Sequence, residues 1–128
     1  MTENIPGSFR DPSGYVYQQD GKILRSVMPR YADQWRRCVE SGFLERGVQS
    51  GAIVPFRQSD AVLPGSAVVL EVERIPFVSY PYEWCFSQLK DAAVLTLDLQ
   101  AKALESGLTL KDASAYNVQW QGARPVFI

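Results

Sequence analysis

No histidine occurs anywhere in the 128 residues. Its absence removes the commonest general base and metal ligand, and with it Ser-His-Asp, Cys-His and histidine-based zinc chemistry. Any catalysis would rest on carboxylates, lysine or tyrosine. Cysteine is scarce as well. Cys38 and Cys85 lie in separate apolar stretches without the close spacing of a zinc site, so both read as reduced, buried thiols. No apolar run approaches the ~20 residues that a membrane-crossing helix needs. Met1-Thr-Glu-Asn-Ile-Pro-Gly7 has neither the basic region nor the apolar stretch of a secretory signal, so a cytoplasmic location is expected, with no membrane partner. The net charge of −1 offers no basic surface for nucleic acid.

What remains is a chain that is 46% hydrophobic and 21% charged, the balance of a globular protein and not of a disordered one. The length suits one domain. The expected organisation is an extended lead-in over residues 1–14, which holds two prolines and two glycines, and one α+β domain over 15–128. A hairpin opens that domain: Tyr15 to Tyr17, a turn at Gln18-Gln-Asp-Gly21, and Ile23 to Val27. Asp-Gly suits a tight turn because glycine accepts positive φ. Tyr31, Trp35, Cys38 and Val39 recur at helical steps and predict a helix over Arg30 to Ser41, begun by Pro29 and ended by Gly42. Arg30, Arg36 and Arg37 fall off its apolar face and read as a solvated surface. A short helical turn follows from Phe43 to Gly47. Gly51 to Phe56 reads as a short edge strand, because Pro55 has no N–H to donate, and Ala67 to Val72 as the best strand in the chain.

Arg74-Ile-Pro-Phe-Val-Ser-Tyr-Pro-Tyr-Glu-Trp84 is held extended by its prolines while its aromatics need somewhere to pack. It is either a connector pinned to the core or one wall of a site for a planar ligand. The longest helix is expected from Ser87, as N-cap, to Ser106. Leu89, Ala93, Leu97 and Leu104, with Ala92, Leu99 and Ala103, form one broad apolar face, and Gly107 is the stop. Val118 to Trp120 and Pro125 to Ile128 then pair as a closing hairpin.

Between that helix and that hairpin stand Asp112 and Asn117, five positions apart. An Asp and an Asn at this spacing can orient a hydroxyl nucleophile and hold a metal on nucleotide phosphates. They can equally do no more than build a turn, since both side chains bond nearby backbone.

At Tyr80-Pro-Tyr-Glu-Trp84, Ser87-Gln-Leu-Lys-Asp-Ala92, Leu110-Lys-Asp-Ala-Ser-Ala-Tyr-Asn117 and Pro125-Val-Phe-Ile128, the chain resembles the N-terminal region of a family of bacterial class I S-adenosylmethionine-dependent methyltransferases, including nodulation-related methyltransferases. The resemblance runs from Asp11 onward. In that family the region precedes a separate doubly wound domain with a glycine-rich cofactor loop, and this sequence holds no such loop. The resemblance therefore implies a noncatalytic accessory domain, for substrate recognition or docking, with S-adenosylmethionine bound in a downstream methyltransferase domain. The substrate would be a small molecule or a protein.

Asp112 to Ile128 is also similar to the catalytic loop and metal-binding hairpin of kinase-like folds. Here Lys111 stands where a histidine is usual, and no second metal-binding Asp follows the hairpin. Under that alternative Asp112 is the catalytic residue, Asn117 the metal ligand, and ATP with magnesium the cofactors.

The expected fold class is α+β, a small antiparallel sheet packed on a long helix, in a reduced or partial kinase-like arrangement. Asp112, Tyr116 and Asn117 are the expected ligand-binding loop, and Tyr80, Tyr82, Glu83 and Trp84 a second wall. A third reading is an oligomerisation module that pairs through an exposed edge of the terminal hairpin.

Overall fold

A computed structural model describes residues 2–5 and 11–128, with residues 2–4 described by their backbone alone. Part of the expected lead-in, residues 6–10, lies outside the described residues. The fold class is α+β. In chain order the elements are β1 (Thr2–Asn4), β2 (Val16–Gln19), β3 (Lys22–Val27), α1 (Ala32–Glu40), α2 (Phe43–Gln49), β4 (Phe56–Gln58), β5 (Val68–Val72), α3 (Phe86–Glu105), β6 (Val118–Gln121) and β7 (Arg124–Phe127). The described residues gather into two compact units, one from within Met1–Glu40 and Pro55–Arg74, the other from Ser41–Val54 and Ile75–Ile128.

The first unit is an antiparallel five-stranded sheet in the order β1-β2-β3-β5-β4. Thr2–Asn4 was expected in the lead-in and instead pairs with Tyr17 to Gln19 as an edge strand. The hairpin at β2 and β3 turns on Asp20 and Gly21, both at positive φ, the geometry that matches the twist of the flanking strands. Leu24, Leu63 and Val69 make its buried cluster, with Tyr17 and Ala61 against them. A Cβ on Gly14 would strike the backbone oxygen of Ser26. Only glycine lets the chain pass that close, and the neighbouring Tyr15 N–H donates to Ser26 Oγ at 2.8 Å.

The helix expected over Arg30 to Ser41 starts two residues later, at Ala32, because Pro29–Tyr31 forms a turn of 3-10 helix ahead of α1. Trp35 meets Phe56 edge to face at 5.9 Å. The strand expected over Gly51 to Phe56 is divided. Phe56 opens β4, an edge strand that continues to Gln58, whereas Ile53 makes a parallel bridge to Phe127 in the second unit.

The second unit is built on α3, whose neighbour is the β6–β7 hairpin. Its N-cap is Cys85, not Ser87. The Cys85 N–H donates to Gln88 Oε1 at 3.0 Å, and this reciprocal bond satisfies an end of the helix that serine was expected to serve. Cys85 is exposed, contrary to its expected burial, while Cys38 is half-buried and burial pushes its thiol pKa up. At the far end Gly107 takes φ 71, and Leu108 N–H reaches back to Ala103 O at 2.8 Å, closing the helix as a left-handed cap does.

The expected broad apolar face is split. Ala92, Leu99 and Ala103 are buried, whereas Leu89, Leu97 and Leu104 are exposed. A two-stranded hairpin is narrow and covers one stripe of a helix, not two. Trp84, Ala92 and Val118 form the buried cluster, with Leu95, Trp120 and Phe127 packed on it. Among the described residues no helix is long and apolar enough to cross a membrane.

Candidate functional site

All seven expected site residues belong to the second unit, and the fold sorts them into three groups. Trp84 is withdrawn into the core at 8% exposure. Its ring meets Trp120 edge to face at 5.7 Å, and its indole N–H donates to Ser79 Oγ at 2.9 Å. Little of it is left for a ligand to touch.

Glu83 and Asn117 are engaged with local backbone. Pro81–Glu83 forms a turn of 3-10 helix, and Glu83 Oε2 accepts the Tyr80 N–H at 2.8 Å. A second such turn at Ala115–Asn117 has the same construction. Asn117 Oδ1 accepts the Ser114 N–H at 3.0 Å and the Ser114 hydroxyl at 3.2 Å. Its own N–H returns to Ser114 O at 2.9 Å. An amide oxygen has two lone pairs, and in this arrangement both are taken. Sequence spacing carried a signal for this outcome, since Ser-x-x-Asn at 114 to 117 and Tyr-x-x-Glu at 80 to 83 both have capping-box spacing.

The third group faces solvent. Tyr82 is 76% exposed and Tyr116 60%. Tyr80 and Tyr82 stack 5.5 Å apart with their planes 7° from parallel. Desolvation raises the Tyr82 phenol pKa, and nearby Glu83, Tyr80 and Tyr116 push it further in the same direction. Three tyrosines from two separate segments therefore share one neighbourhood, each held by a capped 3-10 turn. Asp112 is exposed and adopts a left-handed φ of 52°, a conformation that a non-glycine residue takes at some cost.

Beside this loop lies a groove of about 330 Å³. Leu89, Ala93 and Leu97 of α3 form one wall and Ala113, Ser114 and Ala115 the other. Its hydroxyls are engaged locally: Thr96 Oγ1 donates to Ala92 O at 2.9 Å, and Ser114 Oγ accepts the Tyr116 N–H at 3.3 Å. The acidic-amide bend thus flanks a concavity, though an apolar one.

Gln119, which sequence reasoning passed over, holds the tyrosine segment in place. It is buried. Its Oε1 accepts the Ser79 N–H at 3.0 Å, and its Nε2 donates to Ser79 O at 2.9 Å. A side-chain amide here imitates a strand partner and fixes the proline-rich connector one residue before Tyr80. A lone glutamine in an alternating strand gives no sequence signal for such a clamp. The hairpin's outer edge is occupied too. Val54 N–H donates to Phe127 O at 2.9 Å and Phe127 N–H to Ala52 O at 2.8 Å, so β7 does not present the open edge that pairing with another chain would require.

Comparison with known proteins finds similarity to the Nodulation protein NoeA of Rhizobium meliloti (strain 1021), 40% identical over 129 residues. The match takes in 97% of this chain and 27% of that protein, so the chain spans about a quarter of its relative's length. No family model matches the sequence. No solved structure matches it either.

Proposed function

We propose that this chain is a recognition and docking module that works beside a separate S-adenosylmethionine-dependent methyltransferase domain, in a nodulation-related process like that named for its relative. The tyrosine surface carries the reading. Tyr80, Tyr82 and Tyr116 are large, stiff and exposed on capped turns, the kind of side chain that dominates contact energy where it is buried on binding. Asp112 at the rim adds a polar contact. The match to about a quarter of a longer protein supports a module whose catalytic counterpart lies elsewhere. A magnesium-dependent phosphotransfer reading draws less support, because the Asn117 oxygen already accepts two hydrogen bonds.

The test pairs this chain with the region of the Rhizobium meliloti protein outside the matched stretch. Calorimetry would measure association, and methyl transfer from labelled S-adenosylmethionine would measure activity. Replacing Tyr82 and Tyr116 with alanine is expected to weaken association at least ~10-fold, as loss of interface aromatics does, with the chain still folded. Unchanged association, or cofactor binding by this chain alone, would count against the proposal.

A further inference from the structure

We infer that the outer stripe of α3 is a self-association surface, and that its occupant is α3 of a second copy running antiparallel. The stripe is Phe86, Leu89, Ala93, Leu97, Ala101 and Leu104, all exposed. Their steps along the helix are three, four, four, four and three residues, a series that reads the same in both directions. A two-fold axis passing the helix at Leu95 therefore sets Phe86 opposite Leu104, Leu89 opposite Ala101, and Ala93 opposite Leu97 of the partner copy. The two inner pairings place a large side chain against a small one, the complementarity that lets facing helix ridges interdigitate. An isologous contact needs this property, because the same patch must fit itself.

The groove supplies the pocket for the central pair. Ala93 leaves room between α3 and Ala113 to Ala115, and Leu97 of the second copy fills it. Nothing polar competes for that space, since the Thr96 and Ser114 hydroxyls are bonded locally. An aliphatic side chain fits this chemistry, whereas a polar small molecule finds no handle.

Area is sufficient. Phe86 is 80% exposed, Leu97 68% and Leu104 61%. Each copy thus offers on the order of 500 Å² of apolar surface, and a pair buries roughly 1,000 Å², the lower bound of a specific contact. A reversible, concentration-dependent dimer is the expected form. Its far wall adjoins Tyr116, but Leu97 and Leu104 belong to α3 and not to the tyrosine surface, so each reading is tested by its own substitutions.

Sedimentation equilibrium of the chain, from low micromolar to sub-millimolar, is expected to show monomer and dimer in exchange. Leu97→Asp and, separately, Leu104→Asp are each expected to weaken the dimer at least ~10-fold while leaving the far-ultraviolet circular dichroism unchanged, both side chains being exposed already. Register is read by cross-linking in a Cys38→Ser, Cys85→Ser background. Mixing Ala93→Cys with Leu97→Cys protein is expected to give the disulfide-linked dimer, and either alone is not. A monomer throughout, a dimer indifferent to Leu97→Asp, or cross-linking of Ala93→Cys with itself would each overturn the inference.

Discussion

At the residue scale, Glu71 shows how much chemistry a fold can collect on one half-buried side chain. Arg57 Nη2 reaches both carboxylate oxygens at 3.0 Å, and Lys22 Nζ reaches one at 3.2 Å. Hydrogen bonds from Lys22 and then Arg57 hold the Glu71 pKa below its ordinary value. A carboxylate depressed in the folded state stabilises the protein at pH values above its unfolded pKa of about 4.3, and that contribution is lost as pH falls through the lower folded value. Glu71→Gln removes it. The melting temperature of the wild type is therefore expected to exceed that of Glu71→Gln at neutral pH, with the gap closing below about pH 4. Thermal melts across that range check this, and a gap independent of pH would assign the difference to packing. The effect is expected to be small, because the Lys22 and Arg57 side chains are exposed and surface pairs contribute little.

Residue identity also sets how much of the site could be read beforehand. Tyr80, Tyr82 and Tyr116 were recognisable as aromatics with few local partners, since they stand in a proline-rich segment and a polar loop, and all three are exposed. Trp84 has the same signature, yet only the position of Trp120 and Ser79 decides that it turns inward. Trp120 is remote in sequence, and nothing in the sequence marks Ser79, five residues back, as the indole's acceptor.

Elements are where periodicity informs most and misleads most clearly. α3 was legible in its length and its stop, since Gly107 interrupts a long run of good helix formers. Its two apolar stripes were not separable, because the sequence does not say how wide the covering surface is. That distinction has a measurable consequence. Leu99 is almost wholly buried, so Leu99→Ala is expected to cost about 2–5 kcal/mol of unfolding free energy. Leu97→Ala, on the exposed stripe, is expected to change it by no more than about 0.5 kcal/mol at concentrations where the chain is monomeric. Urea titrations of the two variants decide it. Similar losses would mean that the helix is covered on both stripes.

The hairpins were the most legible elements. Asp20-Gly21 fixes the turn between β2 and β3, and Gly122, at φ 63, allows the turn between β6 and β7. The segment from Gly51 to Phe56 defeated simple reading for a physical reason. It forms no single strand, because Ile53 bridges to β7 while Phe56 enters another sheet. A proline between them interrupts any ladder that would have joined the two.

For the whole molecule, the two units are interleaved along the sequence, and this limits how the chain can be divided. The first unit needs Met1–Glu40 and Pro55–Arg74 together, because β5 takes its interior position only by pairing with β3. A fragment that begins at Ser41 retains β4 and β5 but loses β3, and with it the partner that covers one side of β5. Such a fragment is expected to expose an unpaired strand edge together with Val69 and Leu70, both buried in the intact chain, and to aggregate. Dye binding and light scattering, compared with the intact chain, test this. A soluble, cooperatively folding fragment would show that the second unit tolerates the orphaned strands. The expectation of one domain came from length, which says nothing of which apolar residues cluster together.

Because Ala52 to Val54 already line the outer margin of β7, that margin has no free row of amides and carbonyls on which an incoming peptide could template itself. A partner that met this margin would find the Ala52 to Val54 segment in place of an open strand.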